Sequence, residues 1–294
     1  MYNYKSLFND IYNNIFLNLL NDEIDIFLCG GVAPEIVMHT KKVLRDYVRD
    51  ELEKISKYNV WYPEKLFDYN ICEEKSDMLT LEEYLGEHCD MLMLICNSMG
   101  TAAELGAFSS NDKTLEKLFV LNGEEYERKD SFIENGPIKK LKREKGSDRI
   151  IRYNNEKTDI MEKIRKVINK KYYYYQKPRK EKKFSSLDDF SSVCVFLIII
   201  IFLFDSVTEK LLYGELSEFI DSHHNKIDIE IVTHAAINRL FDAELIKKEE
   251  QNYYLEKKGE DKVRELLKSN KKIVNVQDIN YIRMKILKMP QYYQ

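Results

Sequence analysis

A carboxylate set just behind a polar turn is the first feature of this sequence that could do chemistry. Residues 91–96 read Met-Leu-Met-Leu-Ile-Cys, an apolar run without helical period, as a buried parallel strand does. Asn97-Ser98-Met99-Gly100 follows as a polar turn, and Thr101-Ala102-Ala103-Glu104-Leu105-Gly106-Ala107-Phe108 as an Ala-rich helix. Such a unit aims a helix N-terminus beyond the strand's carboxyl end, where open α/β sheets bind ligands. This reading puts Glu104 in the first helical turn and leaves it two roles. Thr101-x-x-Glu104 has the spacing of a capping box, in which the Glu bonds back to the Thr amide. Alternatively, a Glu kept ionised by helix-end dipoles could attack a sugar C1, as carboxylates do in retaining glycosidases.

The elements that must position Glu104 alternate along the chain. Residues 24–29 read as a first strand, and Gly30-Gly31 at its end would let the backbone approach a ligand or simply pack tightly. Pro34 suits a first helical position, and residues 35–55 read as one long amphipathic helix. A second strand over 59–62 is ended by Pro63-Glu64, and a helix over 79–88 leads to the strand at 91. Residues 118–121 and 149–153 are the remaining strands, with a basic helix over 138–143 between them and a closing helix over 157–172. Alternation of this kind predicts an α/β fold: a doubly wound parallel five-stranded sheet, flavodoxin-like. The expected organisation is a catalytic domain over 1–162, a basic Tyr-rich linker or helix over 163–186, and a smaller, mostly helical domain over 187–294.

Charge is distributed unevenly. Residues 1–155 carry 20 basic and 28 acidic groups, while 163–183 carry ten basic groups and one acidic, Glu181. Lys170, Lys171, Lys177, Arg179, Lys180, Lys182 and Lys183 surround Tyr172 to Tyr175, a mixture suited to a single-stranded nucleic acid whose phosphates meet cations and whose bases stack. A solvated helix end with a linker reads equally well. Five cysteines without a CxxC and five histidines without zinc spacing predict reduced thiols, no metal and a cytoplasmic protein, with no cofactor implied. The first 21 residues lack the basic start of a signal peptide. Val193 to Phe204 is apolar throughout, but twelve residues bracketed by Asp189 and Asp205 read as a buried core helix rather than a membrane span.

The tail has the order of a winged helix: helices over 215–222 and 229–243, a two-stranded wing over 245–255, and a helix over 258–267. Its second helix carries Glu230 and Asp242 against one cation, Arg239, with Asp228 and Glu244 flanking it. Those charges suit protein contact better than a major groove.

The first domain resembles the nucleoside deoxyribosyltransferases, in which an Asp-x-Gly-x-x-x-Glu-Leu-Gly segment follows a central strand and its Glu is the nucleophile. Ser98-Met99-Gly100-Thr101-Ala102-Ala103-Glu104-Leu105-Gly106 matches it, with Ser98 in place of the Asp. The chain resembles more closely the deoxyribosyltransferase-like effectors encoded beside retron reverse transcriptases. It shares with them Phe27-Leu28-Cys29-Gly30-Gly31, Tyr62-Pro63-Glu64-x-Leu66-Phe67-Asp68, Glu104-Leu105-Gly106-Ala107-Phe108-Ser109 and Ser131-Phe132-Ile133-x-x-Gly136-Pro137. The resemblance implies a toxin of anti-phage defence that cleaves N-glycosidic bonds in NAD or purine nucleotides. Glu104 would be catalytic, and Cys29, Gly30, Gly31, Pro63, Glu64, Ser98, Gly100 and Thr101 would bind substrate. It implies as partners the reverse transcriptase and its branched DNA–RNA hybrid, and is compatible with a homo-oligomer. A DNA-binding regulator with a nucleotide-sensing α/β domain, and a salvage deoxyribosyltransferase, are the rival readings.

Overall fold

Helix α1 (Tyr4–Asn14) starts where the Asn3 side chain accepts a hydrogen bond from the Ser6 amide at 2.8 Å, and it buries Leu7, Phe8, Ile11 and Tyr12. The computed structural model describes residues 3–21, 23–30, 36–37, 42–55, 57–66, 77–127, 130–154, 159–173, 182–223, 229–269, 274 and 276–289. Among these, α1 packs against the C-terminal part of the chain. Two compact units result. One comprises Glu23–Pro63 and Ser76–Lys180; the other comprises Met1–Asp22, Glu64–Lys75 and Glu181–Gln294.

The first unit is built on five parallel strands, β1 (Ile24–Gly30), β2 (Tyr58–Trp61), β3 (Met91–Ile95), β4 (Leu118–Gly123) and β5 (Ile150–Tyr153), in the order β2-β1-β3-β4-β5. All five residues of β3 are buried, as its unbroken apolar run requires at the centre of a sheet covered on both faces. Alternate residues separate the two faces. Ile24, Ile26 and Leu28 join Leu44, Val48 and Leu52 of α2 (Leu44–Glu53) in one apolar cluster. α3 (Met78–His88), α4 (Met99–Ser110), α5 (Asp112–Lys117), α6 (Lys139–Lys145) and α7 (Ile160–Tyr173) complete the alternation.

The long helix expected over 35–55 is shorter than its apolar spacing suggested. Ile36–Val37 pairs antiparallel with Lys42–Val43, and the helix begins only at Leu44. Three β-branched residues, Ile36, Val37 and Val43, favour that pairing over helix. Pro34 and Gly31 lie outside the described residues, as do Lys177, Arg179 and Lys180. Lys182–Lys183, read from sequence as linker, pairs antiparallel with Leu20–Asn21.

The second unit is organised around α8 (Phe190–Phe204), a 15-residue helix with twelve buried residues. It is a core helix, as its length and flanking charges predict, and no helix among the described residues is long and apolar enough to cross a membrane. Phe196 stands 5.4 Å from Phe16, 5.7 Å from Phe219 and 6.2 Å from Tyr12, ring centre to ring centre. These contacts explain why the N-terminal helix and the turn after it belong here. Beyond a short strand β6 (Val207–Thr208) come α9 (Ser217–Asp221), α10 (Ile229–Asp242), the hairpin of β7 (Ile246–Glu249) and β8 (Asn252–Leu255), then α11 (Lys257–Ser269) and α12 (Val276–Leu287). The strand order is β6-β8-β7, all antiparallel.

One close approach in this unit is testable. A Cβ on Gly259, in the first turn of α11, would sit 2.1 Å from the Leu245 carbonyl oxygen and 3.0 Å from its carbon. Backbone opposes backbone there, and the Glu256 amide already donates to the same oxygen at 2.9 Å. Gly259→Ala is expected to destabilise the chain by about 1–3 kcal/mol, read as a lower denaturant midpoint. An unchanged midpoint would show that α11 shifts freely against the hairpin.

Candidate active site

Polar side chains gather at the carboxyl ends of β3, β4 and β5 in the first unit. At the end of β3, the Cys96 amide continues the ladder to the Leu121 carbonyl at 2.9 Å. The chain then turns into α4 through a capping box, displaced by three residues from its expected position. Thr101 N–H donates to Ser98 Oγ at 3.2 Å, and the Ser98 amide donates back to Thr101 Oγ1 at 2.9 Å. The helix starts at Met99, so Glu104 is in its second turn rather than its first. Ser98 and Thr101 form the capping box with each other, so that capping role does not fall to Glu104. Glu104 is half-buried, with Oε2 closed off from solvent.

Cys96 marks what surrounds that carboxylate. Burial pushes its thiol up to about 11, with the charges of Glu104 and then Glu134 adding to the rise; a hydrogen bond with Thr101 and the Arg152 charge act against it. At neutral pH the thiol is therefore protonated and a poor nucleophile. Alkylation at pH 8 should be much slower at Cys96 in the folded chain than in denaturant, measured by mass spectrometry of the labelled peptide. Between pH 9 and about 11 the unfolded thiol loses its proton while the folded one keeps it, so this group lowers stability as pH rises through that window.

Glu134, which the sequence reading passed over, joins the ends of β4 and β5. Its Oε1 accepts from Arg152 Nη2 at 2.6 Å and from Asn122 Nδ2 at 3.2 Å, while Lys142 Nζ stands 3.8 Å from Oε2. Asn122 is 1% exposed at the end of β4, and Arg152 is on β5. Asn122 Oδ1 and Arg152 Nη1 are shielded from solvent and have no hydrogen-bond partner among the described residues. A buried polar group left unmade costs about 1–3 kcal/mol. Asparagine and arginine interrupting otherwise apolar strands, at Leu-Asn-Gly and Ile-Ile-Arg-Tyr, were the available signals.

Other sequence-named residues divide. Gly30 ends β1, and its carbonyl accepts from Arg45 Nη1 at 3.0 Å. A Cβ there would meet Ile95 Cβ at 3.2 Å and Arg45 Cδ at 3.3 Å, so tight packing accounts for this glycine. Arg45 in turn lies over the Tyr62 ring at 4.3 Å, and the Tyr62 hydroxyl donates to Asp46 at 2.9 Å. Burial first, then that bond to Asp46, raises the phenol well above its ordinary range. Cys29 is buried in the sheet beside Leu94, and Pro63 is buried after β2, whereas Glu64 is exposed and belongs to the second unit. Gly100 is exposed and has room for a side chain, with only Ser98 Oγ within 4 Å. Lys170 pairs with Asp148 at 2.8 Å, and Lys183 is exposed. The side chains of Lys171 and Lys182 lie outside the described residues. Among the described residues, no group of three or more His, Cys, Asp or Glu side chains could hold a metal ion.

Residues 41–248, most of both units, match the family described as STM3845 retron effector protein. The chain belongs to that family. A relative of this retron effector is named "Retron Ec86 putative ribosyltransferase/DNA-binding protein" in Escherichia coli; it is 36% identical over 124 residues. The match spans 42% of this effector and 39% of the relative, well under half of each. The retron effector family sets the biological context, and the relative's name is compatible with glycosyl-transfer chemistry.

Proposed function

We propose that the chain is a toxic effector of a retron anti-phage defence system and cleaves the N-glycosidic bond of NAD or a purine nucleotide, with Glu104 as nucleophile. The observation that carries this reading is the Ser98–Thr101 capping box, which sets Glu104 in the second turn of α4, past the carboxyl end of the central strand. A Glu104 oxygen bonds to C1′ as the C1′–N bond breaks, and the electron pair leaves on the base nitrogen. Water then adds to C1′, the carboxylate is released, and the water proton passes to the departing base or to solvent. The family's Asp is Ser98 here, and Ser98 is engaged as a helix cap, which favours hydrolysis over base exchange. Gly30, Gly31, Pro63, Gly100 and Thr101 lie at or just beyond the same strand ends in sequence and would line the substrate.

In this reading the reverse transcriptase and its DNA–RNA hybrid hold the effector inactive. The helix–helix–hairpin–helix order that begins with α9 suits a winged helix used mainly for protein contact. Arg239, the one cation of α10, stands 4.0 Å from Asp242, which also pairs with Lys65 at 2.5 Å. A DNA-binding regulator is the second reading, favoured by the relative's name. Incubation of the purified chain with NAD, and separately with deoxynucleosides and a free base, separates the readings. Loss of nicotinamide or of a purine supports the effector, base exchange supports salvage, and no turnover with tight duplex binding supports the regulator.

A further inference from the structure

Asn122, Glu134 and Arg152 form a cluster whose orientation is fixed by chemistry. The Glu134 carboxylate is salt-bridged to Arg152 and can only accept hydrogen bonds. Asn122 must therefore turn Nδ2 toward Glu134 Oε1, which leaves its carbonyl Oδ1 as an acceptor with no partner among the described residues. Arg152 gives Nη2 to the same oxygen and keeps Nη1 as a donor. One acceptor and one cationic donor, both shielded from solvent, are thereby held on either side of a single carboxylate oxygen.

We propose that Asn122 and Arg152, oriented by Glu134, hold the leaving base and select an edge where an amino group stands beside an acceptor. This inference rests on the glycosidic reading above. The N6–H and N7 of adenine fit it, as do the amide N–H and oxygen of nicotinamide. Hypoxanthine, guanine and nicotinate place an oxygen where Asn122 Oδ1 requires an N–H, and two acceptors would face each other. Bonding of Arg152 to N7 would also stabilise the electron pair that a departing adenine takes with it. The turn that carries Glu134 packs against α4, the helix of Glu104, and Asn122 follows Leu121, whose carbonyl accepts from the Cys96 amide at 2.9 Å.

The test compares amino with oxo leaving groups on the full chain: AMP with IMP, and NAD with its nicotinic acid analogue. The released base identifies which source the site takes. The amino member should be preferred in kcat/KM by about 10²-fold or more. Glu134→Gln can donate as well as accept, so Asn122 is freed to turn over. That variant should lose at least about tenfold of the preference while remaining folded. Asn122→Ala should lose it too; where that variant fails to fold, Glu134→Gln carries the comparison. Equal cleavage of both members, or an unchanged ratio in Glu134→Gln, overturns the proposal. Calorimetric binding of adenine against hypoxanthine, and nicotinamide against nicotinate, to Glu104→Gln reads the same preference without turnover. A preference in binding with no cleavage by the parent chain would sink the glycosidic reading and keep the subsite. No preference in binding would sink the subsite alone.

Discussion

Glu104→Gln should abolish base release by about 10³-fold or more and remove toxicity in cells, because the substitution removes a nucleophile rather than a contact. Shape is nearly conserved. The helix start is secured by Ser98 and Thr101, so the melting temperature should stay within a few degrees of the parent's. The split between these readouts is the informative result. A structural Glu104 would lower stability and activity together, whereas a nucleophile lowers activity alone. The Cys96 thiol supplies a third readout. Removing the Glu104 charge takes away one of the influences that raise it, so its pKa should fall and its alkylation above pH 9 should quicken. If the variant cleaves nucleotides and poisons cells as the parent does, Glu104 is not the nucleophile.

Replacing Lys177, Arg179, Lys180, Lys182 and Lys183 together with Gln should release the inhibited complex. Toxicity would then appear even with the reverse transcriptase and its DNA–RNA hybrid present. Ten cations against one acid between Lys163 and Lys183 are concentrated between acidic stretches, the pattern of a phosphate-binding segment. Each lost phosphate contact reduces the log–log salt slope by about 0.7–0.9, so five should flatten it by roughly 3.5–4.5. Glu104-dependent chemistry should be unaffected in the released variant. Co-purification with the retron partners as strong as the parent's at roughly 0.3–0.5 M salt, well past strong screening, would reduce the segment to a solvated linker.

Periodicity made the alternating α/β order legible because the central strand shows an unbroken apolar run and α2 an apolar stripe. β3 and α8 are apolar in sequence and buried in the fold, one short enough for a strand and the other long enough for a core helix. Two things were not legible. Apolar residues over 36–43 satisfy a helical stripe and a strand pair equally, and pairing of Ile36 with Val43 and Val37 with Lys42 decided for the pair. The capping box was misplaced because Ser98 and Thr101 are both good caps, and only the backbone's extended conformation at Ser98 selects between them. The Asn122–Glu134–Arg152 cluster was invisible for another reason. Its members are 12 and 18 residues apart, and nothing local announces that parallel strands bring their carboxyl ends together.

The interleaving of the two units sets an order of birth. The last strand of the first unit, β5, is complete at residue 153, while the second unit needs α1 together with everything beyond Glu181. At roughly 5–20 residues per second, the chain from residue 153 to Phe219 takes about 3–13 s to appear. During that interval Leu7, Phe8, Ile11 and Tyr12 of α1 have been made, but Phe196 and Phe219, the rings they pack beside, have not. A nascent chain therefore carries a finished sheet, with Glu104 already in place, ahead of an apolar helix that is still waiting for the surface it will cover.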